Sequence, residues 1–162
     1  MESEPGKGTV FYFTIPYAHE PEVKTAVKNV IPIDRMANQV KKLEILIAED
    51  DETSERYLTK AVEMVGKKIL RVKTGVEAVE ICRKNPGIDL VLMDIKMPGM
   101  NGYEATRQIR QFNKDVIIIA QTAYGLLGDK DKALDAGCNE YLSKPIVGDD
   151  LQKLLQKYAL NK

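Results

Sequence analysis

Glu49, Asp50 and Asp51 follow one apolar run of this chain and Asp94 ends a second. Gln121-Thr122-Ala123 closes a third and Ser143-Lys144-Pro145 a fourth. Brought together, these residue types have a chemical meaning. Clustered carboxylates repel one another and raise each other's pKa unless a cation lies among them. Hard oxygen ligands left partly open suit Mg2+, which keeps some of its waters and bridges to phosphate. A lysine point charge and a hydroxyl donor then serve the remaining oxygens of a phosphoryl group. Such a set is suited to placing phosphate on an aspartate while metal and lysine neutralise the charge. Each piece alone has a plainer reading. The acidic triplet could cap a helix in solvent, and Thr122 could be a helix cap. Only their joint placement at strand ends argues for a site. Asp51 and Glu52 are read as facing solvent at a helix start, outside the metal set.

That placement depends on the elements between them. From Leu43 onward, strands alternate with amphipathic helices. LEILIA (43–48) reads as the first strand, with Thr53 or Ser54 capping a helix that reaches about Val65. KILRV (68–72) is the second strand, and Thr74 and Gly75 open a helix that Asn85-Pro86-Gly87 ends. DLVLMD (89–94) is the third, followed by a Pro/Gly loop and a helix over 103–111. VIIIAQT (116–122) is the fourth, with a helix ending near Gly137. EYLS (140–143) is a short fifth, and the last helix spans 149–158. Five βα units in about 120 residues imply a parallel sheet covered by helices on both faces. Ligand sites in such folds lie at the carboxyl ends of the strands, near the switch in strand order. The acidic residues, Thr122 and Lys144 all fall there. Gly99, Met100 and Gly102 are read as a turn and a helix start.

Bulk properties narrow the classes further. The 162 residues carry 24 Lys plus Arg and 24 Asp plus Glu, so no global field draws the chain to nucleic acid or an anionic membrane. No apolar run approaches the ~20 residues needed to cross a bilayer, and the N-terminus lacks the pattern of a secretion signal. Cys82 and Cys138 form no metal-binding or CxxC spacing and read as small buried side chains in a reducing, cytoplasmic setting. His19, the only histidine, lies in YAHEPE before Pro21 and reads as part of a linker.

The motifs ED, MDIKMPGMNG, TA and KP, in this order, resemble the receiver domain of two-component response regulators. Residues 42–160 carry the resemblance, and ILIAEDDETS and MDIKMPGMNGYEATRQIR look like receivers fused to hybrid histidine kinases. The resemblance implies a flavodoxin-like (βα)5 fold, a doubly wound parallel sheet of strand order 2-1-3-4-5. It implies that Asp94 accepts a phosphoryl group from phosphohistidine. It implies a Mg2+ site of Asp50, Glu49 through water, Asp94 and the Lys96 carbonyl. Thr122 would donate to the phosphoryl oxygen, Lys144 would pair with Asp94 or the phosphate, and Lys144–Pro145 would be a cis peptide. Tyr141 matches the aromatic that turns inward when Thr122 shifts, which biases the face of the fourth helix, fifth strand and fifth helix. Lys96 and Tyr124, two places after Asp94 and Thr122, are candidates for tuning access of water to the phosphoaspartate. The implied partners are a histidine phosphotransfer protein or the parent kinase's histidine domain, with a second copy of this chain as a further candidate. No direct nucleic-acid or membrane contact is expected.

Residues 1–16, MESEPGKGTVFYFTIP, read as a glycine-rich turn and one alternating strand (10–15) with nothing to complete it. GKGT fails as a phosphate-binding P-loop, lacking Ser or Thr directly after GK, the upstream Gly and the preceding strand. The stretch resembles the end of a histidine-kinase ATP-binding domain, where a GKGT or GKGS turn leads into a final F-x-F-x-I-P strand. Residues 17–41, with Pro21, Pro32 and no sustained apolar period, read as a linker. The expectation is a C-terminal piece of a hybrid kinase that lacks the kinase catalytic core, the parent being a phosphotransferase and a candidate for membrane anchoring. Two rivals remain. One is a degenerate receiver that only binds proteins, disfavoured by the intact Glu49, Asp50, Asp94, Thr122 and Lys144. The other is a phosphohydrolase, disfavoured because the position two after the nucleophile is Lys96 and not a second Asp.

Overall fold

A computed structural model describes residues 2–4, 8–10, 42–123 and 128–160. The chain divides into two units, Met1–Pro32 and Ile33–Lys162. In the first, β1 (Glu2–Glu4) pairs antiparallel with β2 (Gly8–Val10), Ser3 opposite Thr9. Of the strand expected over 10–15 only Val10 is described; it ends β2, and Gly8 and Thr9, expected in a turn, form the rest of that short strand and pair with β1. Glu-Ser-Glu has low strand propensity and gives no signal of its own. The rest of that expected strand, the linker, His19 and Tyr124 lie outside the described residues.

The second unit alternates strands and helices: β3 (Leu43–Ala48), α1 (Glu52–Val62), β4 (Gly66–Val72), α2 (Gly75–Lys84), β5 (Leu90–Asp94), α3 (Gly102–Phe112), β6 (Ile117–Ala123), α4 (Asp129–Ala136), β7 (Glu140–Lys144) and α5 (Gly148–Leu160). The five strands are all parallel, in the order β4-β3-β5-β6-β7. Counted from Leu43 this is 2-1-3-4-5, as the resemblance implied. β5 is buried along its whole length, as a strand covered on both faces must be. The pleat divides its residues between two cores. Val91 and Met93 pack with Leu46, Ile109 and Ile118 in one; Leu90 and Leu92 pack with Ile45, Leu58, Ile119 and Leu155 in the other. The first core therefore lies under α2, α3 and α4, and the second under α1 and α5.

The helix starts fix where the strand ends open. Asp51, not Thr53 or Ser54, caps α1, its carboxylate accepting from the Ser54 N–H at 2.8 Å. That bond also holds the exposed Asp51 carboxyl below its usual pKa. Thr74 with Glu77 and Asn101 with Glu104 form capping boxes at α2 and α3. Gly102 opens α3 against the end of β5: a Cβ there would lie 2.2 Å from the Asp94 carbonyl oxygen. Only glycine lets the helix begin this close to the strand. Among the described residues no helix is long and apolar enough to cross a membrane.

Candidate functional site

The carboxyl ends of β3, β5 and β7 converge on one sheet edge. Ala48 pairs with Met93, so Glu49 and Asp94 come level. The Glu49 N–H continues the ladder onto the Val72 carbonyl at 3.1 Å, which holds this residue in line beyond the end of β3. Glu49 and Asp94 follow the pleat of Ile47 and Leu92 onto the α1/α5 face. Lys144 follows Leu142 onto the same face. Its ammonium donates to both Glu49 carboxylate oxygens, at 2.9 and 2.7 Å, and to Asp94 Oδ2 at 3.0 Å. The remaining Asp94 oxygen, Oδ1, accepts from the Lys96 N–H at 3.2 Å.

Burial shapes the electrostatics. Glu49 is 1% exposed and Asp94 4%. Loss of hydration raises the Glu49 carboxyl from 4.5 to about 7, and the nearby Asp94 charge adds to this, against the pull of Lys144. Burial disfavours the Lys144 ammonium, but its hydrogen bonds and charge pairing with Glu49 and Asp94 outweigh that and raise its pKa. Carboxylates outnumber cations here. One oxygen from each of Glu49, Asp50 and Asp94 lies within 4.8 Å of the others, with Asp50 open to solvent. An all-oxygen cluster with one exposed member fits a hard cation that keeps part of its water shell, as Mg2+ does.

Thr122 is 3% exposed, and its hydroxyl has no hydrogen-bond partner among the described residues. By the pleat it shares the α2/α3 face with Ile118 and Ala120, one residue beyond the Asp94–Gln121 register pair. Tyr141 is half-buried against that same core. Glu49, Asp94 and Lys144 are thus in direct contact, Asp50 borders them, and Thr122 and Tyr141 make no hydrogen bond to the group. The Lys96 side chain is exposed. Lys144–Pro145 is a cis peptide. Beside Lys144 is an open depression of about 320 Å³ lined by Thr53, Tyr57, Leu58, Pro145 and Ile146. The Tyr57 hydroxyl there donates to the Ile146 carbonyl at 3.3 Å. The sequence reading did not single out Tyr57, which as one exposed aromatic on a helix gives no pattern. Nor did it ascribe a role to Gln121.

Residues 45–156 match the response regulator receiver domain family. The chain is 33% identical over 135 residues to the sensor histidine kinase RcsC of Salmonella typhi, covering 83% of this chain and 14% of that protein. It is 32% identical over 157 residues to the sensor protein EvgS of Escherichia coli K12, covering 97% of this chain and 13% of that one. The chain therefore spans only a small part of the length of these curated relatives. Among solved structures, the receiver domain of Saccharomyces cerevisiae Ssk1, crystallised with the histidine phosphotransfer protein Ypd1, superposes with a TM-score of 0.69 at 34% identity, covering 74% of this chain and 90% of that one. The receiver domain of the sensor histidine kinase PA1611 from Pseudomonas aeruginosa PAO1 does so with a TM-score of 0.65 at 36% identity, covering 73% and 98%; that structure holds a magnesium ion in its active site cleft. With its 2-1-3-4-5 parallel sheet and this acidic strand-end cluster, the chain belongs to the response regulator receiver domain family.

Proposed function

We propose that this receiver accepts a phosphoryl group on Asp94 from a phosphohistidine and passes it on in a phosphorelay. One observation carries the reading. The Lys144 ammonium bridges Glu49 and Asp94, with Asp50 beside them, at the ends of three parallel strands. In the reaction an Asp94 carboxylate oxygen bonds to phosphorus and the phosphorus–nitrogen bond breaks. The electron pair leaves with the imidazole nitrogen. Lys144 neutralises charge on the transferring group. The buried Thr122 hydroxyl supplies a donor with no other partner among the described residues, and Tyr141 is the aromatic that responds to its movement.

Glu49, Asp50, Asp94 and the Lys96 carbonyl are the groups proposed to hold Mg2+. When bound, the metal supplies positive charge against the phosphoryl oxygens. The PA1611 receiver, of the same fold and with magnesium in its cleft, supports this choice. The partner proposed is a histidine phosphotransfer protein or a kinase's histidine domain, by likeness to the Ssk1 receiver in its complex with Ypd1. Residues 1–16 are proposed as the end of a kinase ATP-binding domain and 17–41 as a linker, so that the parent is a hybrid histidine kinase. The EvgS likeness, running over 97% of this chain, supports that order. Two buried free thiols fit a cytoplasmic setting.

The test is intact mass after incubation with Mg2+ and acetyl phosphate, on the parent and on Asp94→Asn. A phosphoryl adduct on the parent and none on the variant is expected. An adduct of equal size on both would move the acceptor elsewhere.

A further inference from the structure

Gln121 is fully buried, and neither Oε1 nor Nε2 of its carboxamide has a hydrogen-bond partner among the described residues. Such an amide is costly inside a protein, and a methionine would fill a similar volume without that cost. Its polarity therefore calls for a reason, and its position suggests one. Gln121 is the register partner of Asp94 on one side and of Leu142 on the other. Register partners in a parallel sheet put their side chains on one face, about 4.8 Å apart. Lys144 pairs two residues further along, with Ala123. To reach Asp94 on the far side of β6, its side chain must cross that strand beside Gln121. The carboxamide thus lies on the floor of the site, between the lysine's origin and its target.

The hydrogen-bond count at Lys144 shows what the amide could serve. The ammonium has three N–H donors, two directed at Glu49 oxygens and one at Asp94 Oδ2. Once Asp94 bears a phosphoryl group, its charge moves outward to the phosphoryl oxygens and the ammonium must follow. That leaves the Asp94 oxygen bonded to phosphorus without the donor it had from Lys144. A carboxamide on the floor offers that oxygen an N–H donor.

We propose that Gln121 is a further catalytic residue of this site, donating from its carboxamide to the Asp94 oxygen that carries the phosphoryl group. The inference rests on Asp94 being the phosphoacceptor. When the phosphoryl group is lost, a water oxygen bonds to phosphorus and the bond from phosphorus to the Asp94 oxygen breaks. The electron pair returns to the carboxylate, and the water's protons pass to phosphate and solvent. An N–H fixed beside that departing oxygen stabilises the charge it gains.

The experiment uses Gln121→Met and the parent, phosphorylated with acetyl phosphate and Mg2+ and then freed of donor. The phosphoryl half-life of the variant is expected to lengthen by about fivefold, corresponding to about 1 kcal/mol. Its urea midpoint should stay level or rise, because a buried amide without partners among the described residues has been removed. A second readout needs only the parent. With 15N labelling, the Gln121 side-chain amide protons, identified by their absence in Gln121→Met, should move downfield on phosphorylation. In Asp94→Asn given the same treatment they should stay in place. An unchanged half-life together with an unmoved amide in a phosphorylated parent overturns the inference alone. A parent that takes up no phosphoryl group overturns the assignment of Asp94, and this inference with it.

Discussion

Lys144→Met would remove the one cation that lies between two buried carboxylates, and the structure sets the size of the effect. The lysine side chain is 22% exposed, that of Glu49 0% and that of Asp94 5%. Deleting one partner of a fully buried ion pair costs about 3–5 kcal/mol. Glu49 has an escape, however. Its carboxyl already titrates at about 7 in the presence of Lys144, so at pH 7.5 taking up a proton costs only about 1 kcal/mol. Losing the charge-assisted bond to Asp94 adds about 1–2 kcal/mol. The expected loss at pH 7.5 is therefore about 2–3 kcal/mol, below the usual range.

The pH dependence follows from the same argument. The folded Glu49 pKa stands above its unfolded value, so its contribution is full below about 4.5 and is lost as pH rises toward about 7. Above 7 the parent's curve flattens because Glu49 is ionised in both states. In Lys144→Met the folded pKa climbs further, and stability keeps falling by about 1.4 kcal/mol per pH unit. Urea denaturation in EDTA at pH 6, 7.5 and 8.5 would read this as a gap between parent and variant that widens with pH. Adding Glu49→Gln to the variant should remove the widening. A gap that stays constant across this range would refute the reasoning, since it would mean that Glu49 keeps its charge without the lysine.

Other outcomes test separate parts of the reading. Mg2+ at one hundred times its dissociation constant should stabilise the parent by about 2.7 kcal/mol in a thermal melt; Asp50→Ala, at an exposed position, should abolish that rise while leaving the metal-free melting temperature unchanged. Gly102→Ala, whose Cβ would lie 2.2 Å from a backbone oxygen, should lose about 3 kcal/mol in urea denaturation. Gly99→Ala, at φ +74 with nothing within 4 Å, should lose only the left-handed backbone strain, about 1 kcal/mol. Equal losses would mean that crowding at Asp94 is not what requires Gly102. Burial raises the Cys82 thiol from 9.0 to about 11, so it stays protonated when folded while the unfolded thiol ionises. Parent stability should then fall between pH 9 and 11 by up to about 2–3 kcal/mol relative to Cys82→Ala, and parallel pH curves would show that Cys82 does not titrate differently on folding.

What could be read in advance divides along physical lines. The strands were legible because runs such as DLVLM and VIIIA have no alternative to double burial, and β5 and β6 begin and end within a residue of the strands expected at 89–94 and 116–122. The start of α1 was less so. Asp51, Thr53 and Ser54 are all good caps within one turn, and the choice fell to Asp51 through its bond to the Ser54 N–H. The apolar Val65 fits the helical period, yet α1 ends at Val62. In the fold the Val65 carbonyl accepts from the Leu43 N–H at 2.8 Å, which draws the chain out of the helix and toward β4. The strand ends named the carboxylates and the lysine that meet at the sheet edge, but not that a single ammonium would bond both Glu49 and Asp94. That depends on sheet register, set by contacts among many residues. The Glu2–Glu4 pairing was hidden because charged and small residues reveal a strand only through the partner they find.

The distribution of unmet hydrogen bonds ties the fold to its chemistry. Four buried side-chain atoms have no partner among the described residues: Thr59 Oγ1, both polar atoms of Gln121 and Thr122 Oγ1. Three of the four belong to consecutive residues at the carboxyl end of β6, one facing each side of the sheet. The crowded carboxylates of Glu49 and Asp94 lie at the same edge. A sequence selected for stability alone would place apolar side chains at 121 and 122, as it does at 117–120, and would not bury Glu49. The cost is concentrated at the one place where a phosphoryl group would bring three acceptor oxygens. A resting site of this kind is held short of partners, and phosphorylation would move the molecule by supplying them.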